Sequence, residues 1–186
     1  MEYFDIVDMN GVPTGKTVER KTAHREGIMH RTSHVWLIRM KDSRPQILLQ
    51  KRCAIKDSFP GCYDISSAGH IPAGCDFKES AVRELKEELG IDVSEDQLIY
   101  CGDRIINWDR EFQGVPFRDR QFSRVFYLLC NLDEKDYVLQ AEEVESVLWM
   151  DLEDCIEAVS ADAINHCIVS EELEMVRRAV EASFSK

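Results

Sequence analysis

Apolar positions along this chain follow two rhythms. The short, dense runs Val35-Trp36-Leu37-Ile38 and Ile47-Leu48-Leu49 flank a polar turn containing Pro45. They suit a pair of strands. Strand-like runs recur at 98–101, 122–130 and 146–150. Residues 3–7 alternate apolar with acidic and run into Asp8-Met9-Asn10-Gly11, where Asn-Gly predicts a hairpin. The second rhythm is helical. Phe77, Ala81, Leu85 and Leu89 step by four and give a helix over 76–89 one apolar stripe. Asp76 suits its N-cap with Glu79 three residues on, and Gly90 stops it where a C′ glycine belongs. A shorter helical stretch over 18–25 is stopped by Gly27, residues 58–61 make a loop, and the tail over 152–184 is helical with a break at 164–169. Strands interrupted by helices predict an α/β or α+β sandwich around one sheet. No repeat or linker divides the chain, so one domain over 1–186 is expected.

Composition narrows the function. The chain has 186 residues, enough for one domain with a substantial core. Its net charge of −12 disfavours a nucleic-acid partner, which needs a basic face, and suits a cation site where carboxylates converge. Seven cysteines at wide spacings, with no C-x-x-C pair, predict free thiols rather than a disulfide framework or a zinc cluster. No signal-peptide pattern and no apolar run of membrane-spanning length is present, so the expected location is the cytoplasm, with no membrane partner.

The candidate chemistry lies where Gly69-His70-Ile71-Pro72-Ala73-Gly74-Cys75 leads into Arg83-Glu84-Leu85-Lys86-Glu87-Glu88-Leu89-Gly90-Ile91. On a helix, Glu84, Glu87 and Glu88 stand at i, i+3 and i+4 and share a face. Their repulsion costs about a few tenths of a kcal/mol per exposed pair. A hard divalent cation turns that repulsion into attraction, and Mg²⁺ is commonly shared between carboxylates and substrate phosphates. The plain alternative is a solvated acidic face balanced by Arg83 and Lys86.

This segment resembles the Nudix signature, G-x5-E-x7-R-E-U-x-E-E-x-G-U with U a bulky aliphatic residue. Gly69, Arg83, Glu84, Leu85, Glu87, Glu88, Gly90 and Ile91 match, which is eight of nine specified positions. Cys75 stands where the first glutamate belongs, a residue that in the family supports the loop and the helix start. The resemblance continues through His24-Arg25-Glu26-Gly27, His30-Arg31, Leu48-Leu49-Gln50-Lys51-Arg52, Pro60-Gly61 and Ala68-Gly69-His70, over about residues 3–155. These are similar to the branch related to isopentenyl-diphosphate isomerase. The resemblance implies a Nudix-type α/β/α sandwich around a mixed β-sheet. It would comprise an N-terminal hairpin and helix over 1–30, the signature over 69–91 and a helical tail over 152–186.

It also implies a chemistry. Water attacks one phosphorus of a small, nucleotide-linked diphosphate, and Mg²⁺, or Mn²⁺ in its place, activates the water and neutralises phosphate charge. The implied metal ligands are Glu84, Glu87 and Glu88, with the Gly69 carbonyl as an extra oxygen. Arg83 holds the loop or orients Glu84. Glu143, with Glu142 second, is the candidate general base. Arg52 and the evenly spaced Arg118, Arg120 and Arg124 suit phosphate, although surface pairing with the excess acids serves them equally. A homodimer is a family option. The isomerase reading requires a catalytic cysteine before the Gly-His pair and a glutamate on a later strand. Here those positions hold Ala68 and, near Asp119, Gln121, and neither Ala68 nor Gln121 delivers a proton. A third reading is a diphosphate-binding module without turnover, for which Cys75 is the main support.

Three histidines, His24, His30 and His70, occupy places comparable to metal-binding histidines of the isomerase. Loop hydrogen bonding is the default for each. His34 sits in apolar company and suits packing. Trp108 and Phe112 lie in the polar stretch 107–120, which suits a substrate loop, with stacking on a base or local anchoring as their two roles.

Overall fold

In the computed structural model, all residues are described except Asp57, Gln113, Ser185 and Lys186. Nine strands and four helices follow in the order β1 Tyr3–Val7, β2 Pro13–Glu19, α1 Arg20–Glu26, β3 His30–Lys41, β4 Arg44–Arg52, β5 Tyr63–Asp64, β6 Ser67–His70, α2 Phe77–Leu89, β7 Ile99–Phe112, β8 Val115–Leu129, β9 Val144–Asp151, α3 Leu152–Ser160 and α4 Ser170–Phe184. Strands β1 and β2 form a separate hairpin. Asp8 closes its turn by accepting from the Asn10 and Val12 amides at 2.8 and 2.9 Å. The main sheet has seven strands. It runs β5-β4-β3-β8-β7, with β6 on β3 and β9 on β4. Among the described strand pairs only β3–β8 is parallel, so the sheet is mixed.

The dense apolar runs reflect burial on both faces. Val35 and Leu37 of β3, with Phe126 and Leu128 of β8, point to α2 and meet Phe77, Ala81, Leu85 and Leu89. The alternate residues Trp36, Ile38, Val125 and Tyr127 point to α3 and α4 and meet Leu152, Cys155, Val176 and Val180. A period of two on a strand covered twice leaves no polar face, which makes the run continuous. The result is an α/β/α sandwich.

Helix α2 matches its prediction in full. Asp76 caps it, Glu79 completes a capping box, and Gly90 ends it at φ 71°. Elsewhere boundaries moved. Val18 and Glu19 belong to β2, and α1 starts only at Arg20. The β3–β4 turn is Asp42-Ser43, both at positive φ, while Pro45 lies in β4 opposite Met40. The predicted strands at 98–101 and 122–130 are the roots of a much longer hairpin. Residues 107–112 and 115–120 are paired strand in β7 and β8, with Trp108 opposite Asp119 and Arg110 opposite Phe117, and not a loop. Gln113 in that stretch lies outside the described residues. The stretch reads as polar because its buried positions, facing α1, include Asp119 and Gln121.

Candidate active site

The site forms where the sheet divides. Beyond Ile38 and Ile47, β3 and β4 are no longer paired. The Ser66 hydroxyl fills the gap, accepting from the Leu37 amide at 2.8 Å and donating to the Leu48 carbonyl at 2.6 Å. Strand β6 then returns along β3, with Ser33 opposite Gly69 and Thr32 opposite His70. This brings Gly69 against α2. A Cβ on Gly69 would lie 2.2 Å from Glu84 Cδ, so glycine is required here by close approach and not by its backbone angles.

The three signature carboxylates share one side of α2 but not one environment. Glu88 is buried, Glu84 nearly so, and Glu87 is half exposed. Arg83 spans them. Its Nη2 donates to Glu84 at 2.7 Å and to the His70 carbonyl at 3.3 Å, and its Nη1 donates to Glu87 at 3.3 Å. Burial raises Glu84 to about 7, with Arg83 opposing and the charges of Glu87, Glu2 and Glu143 assisting. Burial raises Glu88 to about 8; the Ser67 hydroxyl opposes this, and Glu84, Glu143 and Asp64 add to it. Glu88 Oε2 has no hydrogen-bond partner among the described residues. A buried acid pair with an unpartnered oxygen is poorly satisfied by protein alone, and an oxygen-seeking divalent cation supplies the missing partner. The donor set therefore fits Mg²⁺.

Glu143 precedes β9, half-buried, and its carboxylate meets the Lys56 ammonium. Its carbonyl accepts from the Cys53 amide at 2.9 Å, which fixes it against the loop after β4. Lys56 was missed in the sequence; its only signal was a place four residues beyond Arg52. Arg52 itself donates to Asp64 at 2.9 Å and to the Ser58 carbonyl at 3.0 and 3.2 Å, so it braces the same loop. Arg120 donates to Asp109 at 2.6 Å and to the Trp108 and Asp119 carbonyls at 2.9 Å. Arg124 forks onto Asp103 and lies over Phe77. Their donors are thus used within the hairpin. Arg118 is exposed beside Gly27.

The structure brings His24, His30 and His70 together, with one ring nitrogen from each lying within 4.8 Å of the others. His24 Nε2 and His70 Nε2 are 3.2 Å apart. His30 donates Nδ1–H to the Ile28 carbonyl at 2.8 Å, so its buried Nε2 is a lone pair without a partner. His24 Nδ1 and Asp119 Oδ1, 3.7 Å apart, are likewise buried without hydrogen bonds among the described residues. Burial holds His24 at about 3 and His30 at about 4, and His70 well below its ordinary value. Burial also raises Asp119 to about 6, against the pull of Gln121, His34 and Arg120. Neutral imidazoles with a carboxylate suit a borderline metal such as zinc. The isomerase positions stay chemically silent. Ala68 packs on the second core, and Gln121 accepts from the Thr32 hydroxyl at 3.2 Å. His34 is not mere packing: it pairs with Glu172 at 2.9 Å and ties α4 to the sheet.

Aromatics complete the rim. Phe117 stacks on His24 at 4.3 Å, Trp108 lies 5.7 Å from Phe117, and Phe59 meets Trp108 and Phe112 at 6.0 and 5.2 Å. The Arg110 guanidinium stands 5.1 Å from both the Phe59 and Trp108 rings. Contacts run from Glu84 through Arg83, His70, His24, Phe117 and Trp108 to Phe59, which lies in the loop carrying Lys56.

Fold and acid cluster together define a phosphate-directed hydrolase scaffold. The NUDIX domain profile matches residues 29–168, and the chain belongs to that family. It is 35% identical over 153 residues to an uncharacterised Nudix hydrolase of Clostridium acetobutylicum, covering 82% of this chain and 71% of that protein. It is 25% identical over 161 residues to the isopentenyl-diphosphate Delta-isomerase of Shigella flexneri, covering 86% and 82%. The crystal structure of DR0079 from Deinococcus radiodurans matches with a TM-score of 0.68 at 19% identity, covering 93% of this chain and 98% of that one. The chain is a Nudix-type pyrophosphohydrolase. No helix among the described residues is long and apolar enough to cross a membrane.

Proposed function

We propose that this chain hydrolyses the diphosphate linkage of a small, nucleotide-linked substrate with Mg²⁺ held by Glu84, Glu87, Glu88 and the Gly69 carbonyl. The observation that carries this is the buried Glu84–Glu88 pair, raised to about 7 and about 8, with an oxygen left unpartnered. When bound, the cation supplies a lowered water pKa and charge neutralisation on the phosphate oxygens. Arg83 orients Glu84 through its 2.7 Å bond. Glu143 takes the proton of the attacking water. Lys56, now on Glu143, is a cation beside the base, and its transfer to an incoming phosphate frees the Glu143 carboxylate to act. The half-buried aromatic rim of Trp108, Phe59 and Phe117 receives the group joined to the diphosphate, since stacking on an aromatic ring is worth about 1–3 kcal/mol per base. The histidine cluster with Asp119 is a second cation site. Its unpartnered nitrogens favour that reading over loop hydrogen bonding.

The test is purified protein with Mg²⁺ and a panel of nucleoside di- and triphosphates, nucleotide sugars, coenzyme A-type and isoprenoid diphosphates. Metal-dependent release of phosphate or nucleotide, lost in Glu87→Gln, is the expected result. Ligand-induced thermal shifts without release would establish a binding module, and a rearranged isoprenoid would establish the isomerase.

A further inference from the structure

The cysteine at position 75 leaves this chain without the carboxylate that the signature places in the loop before α2. The Cys75 side chain packs against the first core. The loop is nevertheless tied down, and the ties come from the N-terminal hairpin. The Ala73 amide donates to the Tyr3 carbonyl at 2.8 Å, and Phe4 bridges to Pro72. The Gly74 amide donates to Asp5 Oδ2 at 2.9 Å. The same oxygen accepts from Arg31 Nη2 at 2.9 Å, and that nitrogen donates on to the Cys75 carbonyl, also at 2.9 Å. Both side chains are largely buried, at 15% and 8% exposure, so this charged bond is shielded from solvent. The Arg31 guanidinium also stands 5.3 Å from the ring of Phe77, the first residue of α2.

We propose that Asp5, acting through Arg31, is the positioning carboxylate of this site. It is delivered from β1 and does for the signature loop what residue 75 cannot. The loop joins two things whose relation must stay fixed. At one end are Gly69 and the His70 carbonyl, against which Glu84 and Arg83 rest. At the other is Asp76, which caps the helix carrying Glu84, Glu87 and Glu88. Asp5 holds the second end by an amide and a carbonyl at once, one directly and one through Arg31. Asp5 touches neither Glu84, Glu87 nor Glu88 in any described hydrogen bond, so its role is to position. The inference rests on the hydrolase reading for its effect on rate, but its structural content does not.

Two readouts test it, one of them independent of turnover. In amide hydrogen exchange of the metal-free chain, Asp5→Ala speeds exchange of the Gly74 amide at least about tenfold, as expected when a local opening loses its closing bond. Asp5→Asn, which keeps the shape, removes the charge and guards against misfolding of the alanine variant, does so less. In steady-state assays, Asp5→Ala lowers kcat by about 10- to 100-fold with KM little changed, because displacements approaching 1 Å cost about that much. Adding Cys75→Glu to Asp5→Ala restores both protection and kcat, since Arg31 keeps a buried Nε without a partner to receive the new carboxylate. A general loss of stability would not be repaired at position 75. Unchanged exchange at Gly74 overturns the proposal, and so does a rate loss that Cys75→Glu leaves unrepaired. If the unaltered chain turns over no diphosphate, the hydrolase reading falls, and exchange at Gly74 still decides the role of Asp5.

Discussion

Gly69→Ala perturbs the site by one methyl group. That methyl carbon would stand 2.2 Å from Glu84 Cδ and Cγ and 2.3 Å from Oε1. Apolar carbons rest about 3.5–4.0 Å apart, so the Glu84 carboxyl must retreat by more than about 1 Å. Position 69 is not in the left-handed region, so alanine carries no backbone strain there. The cost to folding is that of crowding one side chain, about 1–3 kcal/mol, which lowers Tm by roughly 2–4 °C per kcal/mol in a chain of this size. The cost to catalysis is larger. If Glu84 is the metal ligand proposed, its displacement by about 1 Å should lower kcat by about 10²-fold or more, and the Mg²⁺ concentration for half-maximal rate should rise. Steady-state kinetics across a Mg²⁺ titration, with Tm measured in parallel, reads both. The Glu84→Ala background supplies the control: with the side chain gone, the clash is gone, and adding Gly69→Ala should cost no further stability. A Gly69→Ala enzyme with unchanged kcat and Mg²⁺ response would refute the placement of Glu84 against β6.

Other expectations follow from the same geometry. Glu88→Gln should lower kcat at least about 10²-fold, since it removes the charge of a proposed metal ligand; a full rate would remove Glu88 from the site. In EDTA, the histidine cluster should make the fold acid-sensitive. His24 and His30 fall from an ordinary value near 6.5 to about 3 and about 4, so the unfolded chain binds protons first. Their contribution is complete above about 6.5 and lost as pH falls toward 4, about 3 kcal/mol for His30 alone. Glu84 and Glu88, raised above their unfolded values, work in the opposite sense between about 4.5 and 8, so the histidine share is read as the difference between wild type and His30→Gln. Equal pH–Tm slopes in the two proteins would contradict the burial of a neutral His30. The same variant should lose any zinc that copurifies with the wild type. Cys75→Glu in the wild-type background should maintain or raise activity, and a collapse in rate would show that the thiol itself is needed.

Local rules carried far in this chain, and their failures are instructive. Helix α2 was legible end to end because its cap, stripe and terminal glycine are all set within about fourteen residues. The spacing of Glu84, Glu87 and Glu88 likewise follows from helical geometry alone. The turn after β3 went to Asp42-Ser43 because those two residues accept positive φ, while Pro45 fits a strand position where Arg44–Lys41 pairing has already closed the hairpin. The ribbon over 107–112 and 115–120 was illegible because its pairing partner is its own continuation, and because its buried positions hold Asp119 and Gln121, so burial alternates where apolarity does not.

What the sequence settled by itself was the acid-bearing helix and the densest strand runs, since each depends on residues a few positions apart. The tertiary structure alone decided which acids are buried, because burial of Glu84 depends on β6 packing against α2, while the charge of Glu143 reaches both Glu84 and Glu88 from a distant segment. It gathered His24, His30, His70 and Asp119 from four elements, put Lys56 on Glu143, and set Asp5 beneath Gly74. Those are contacts between residues far apart in the chain, and no local periodicity encodes them.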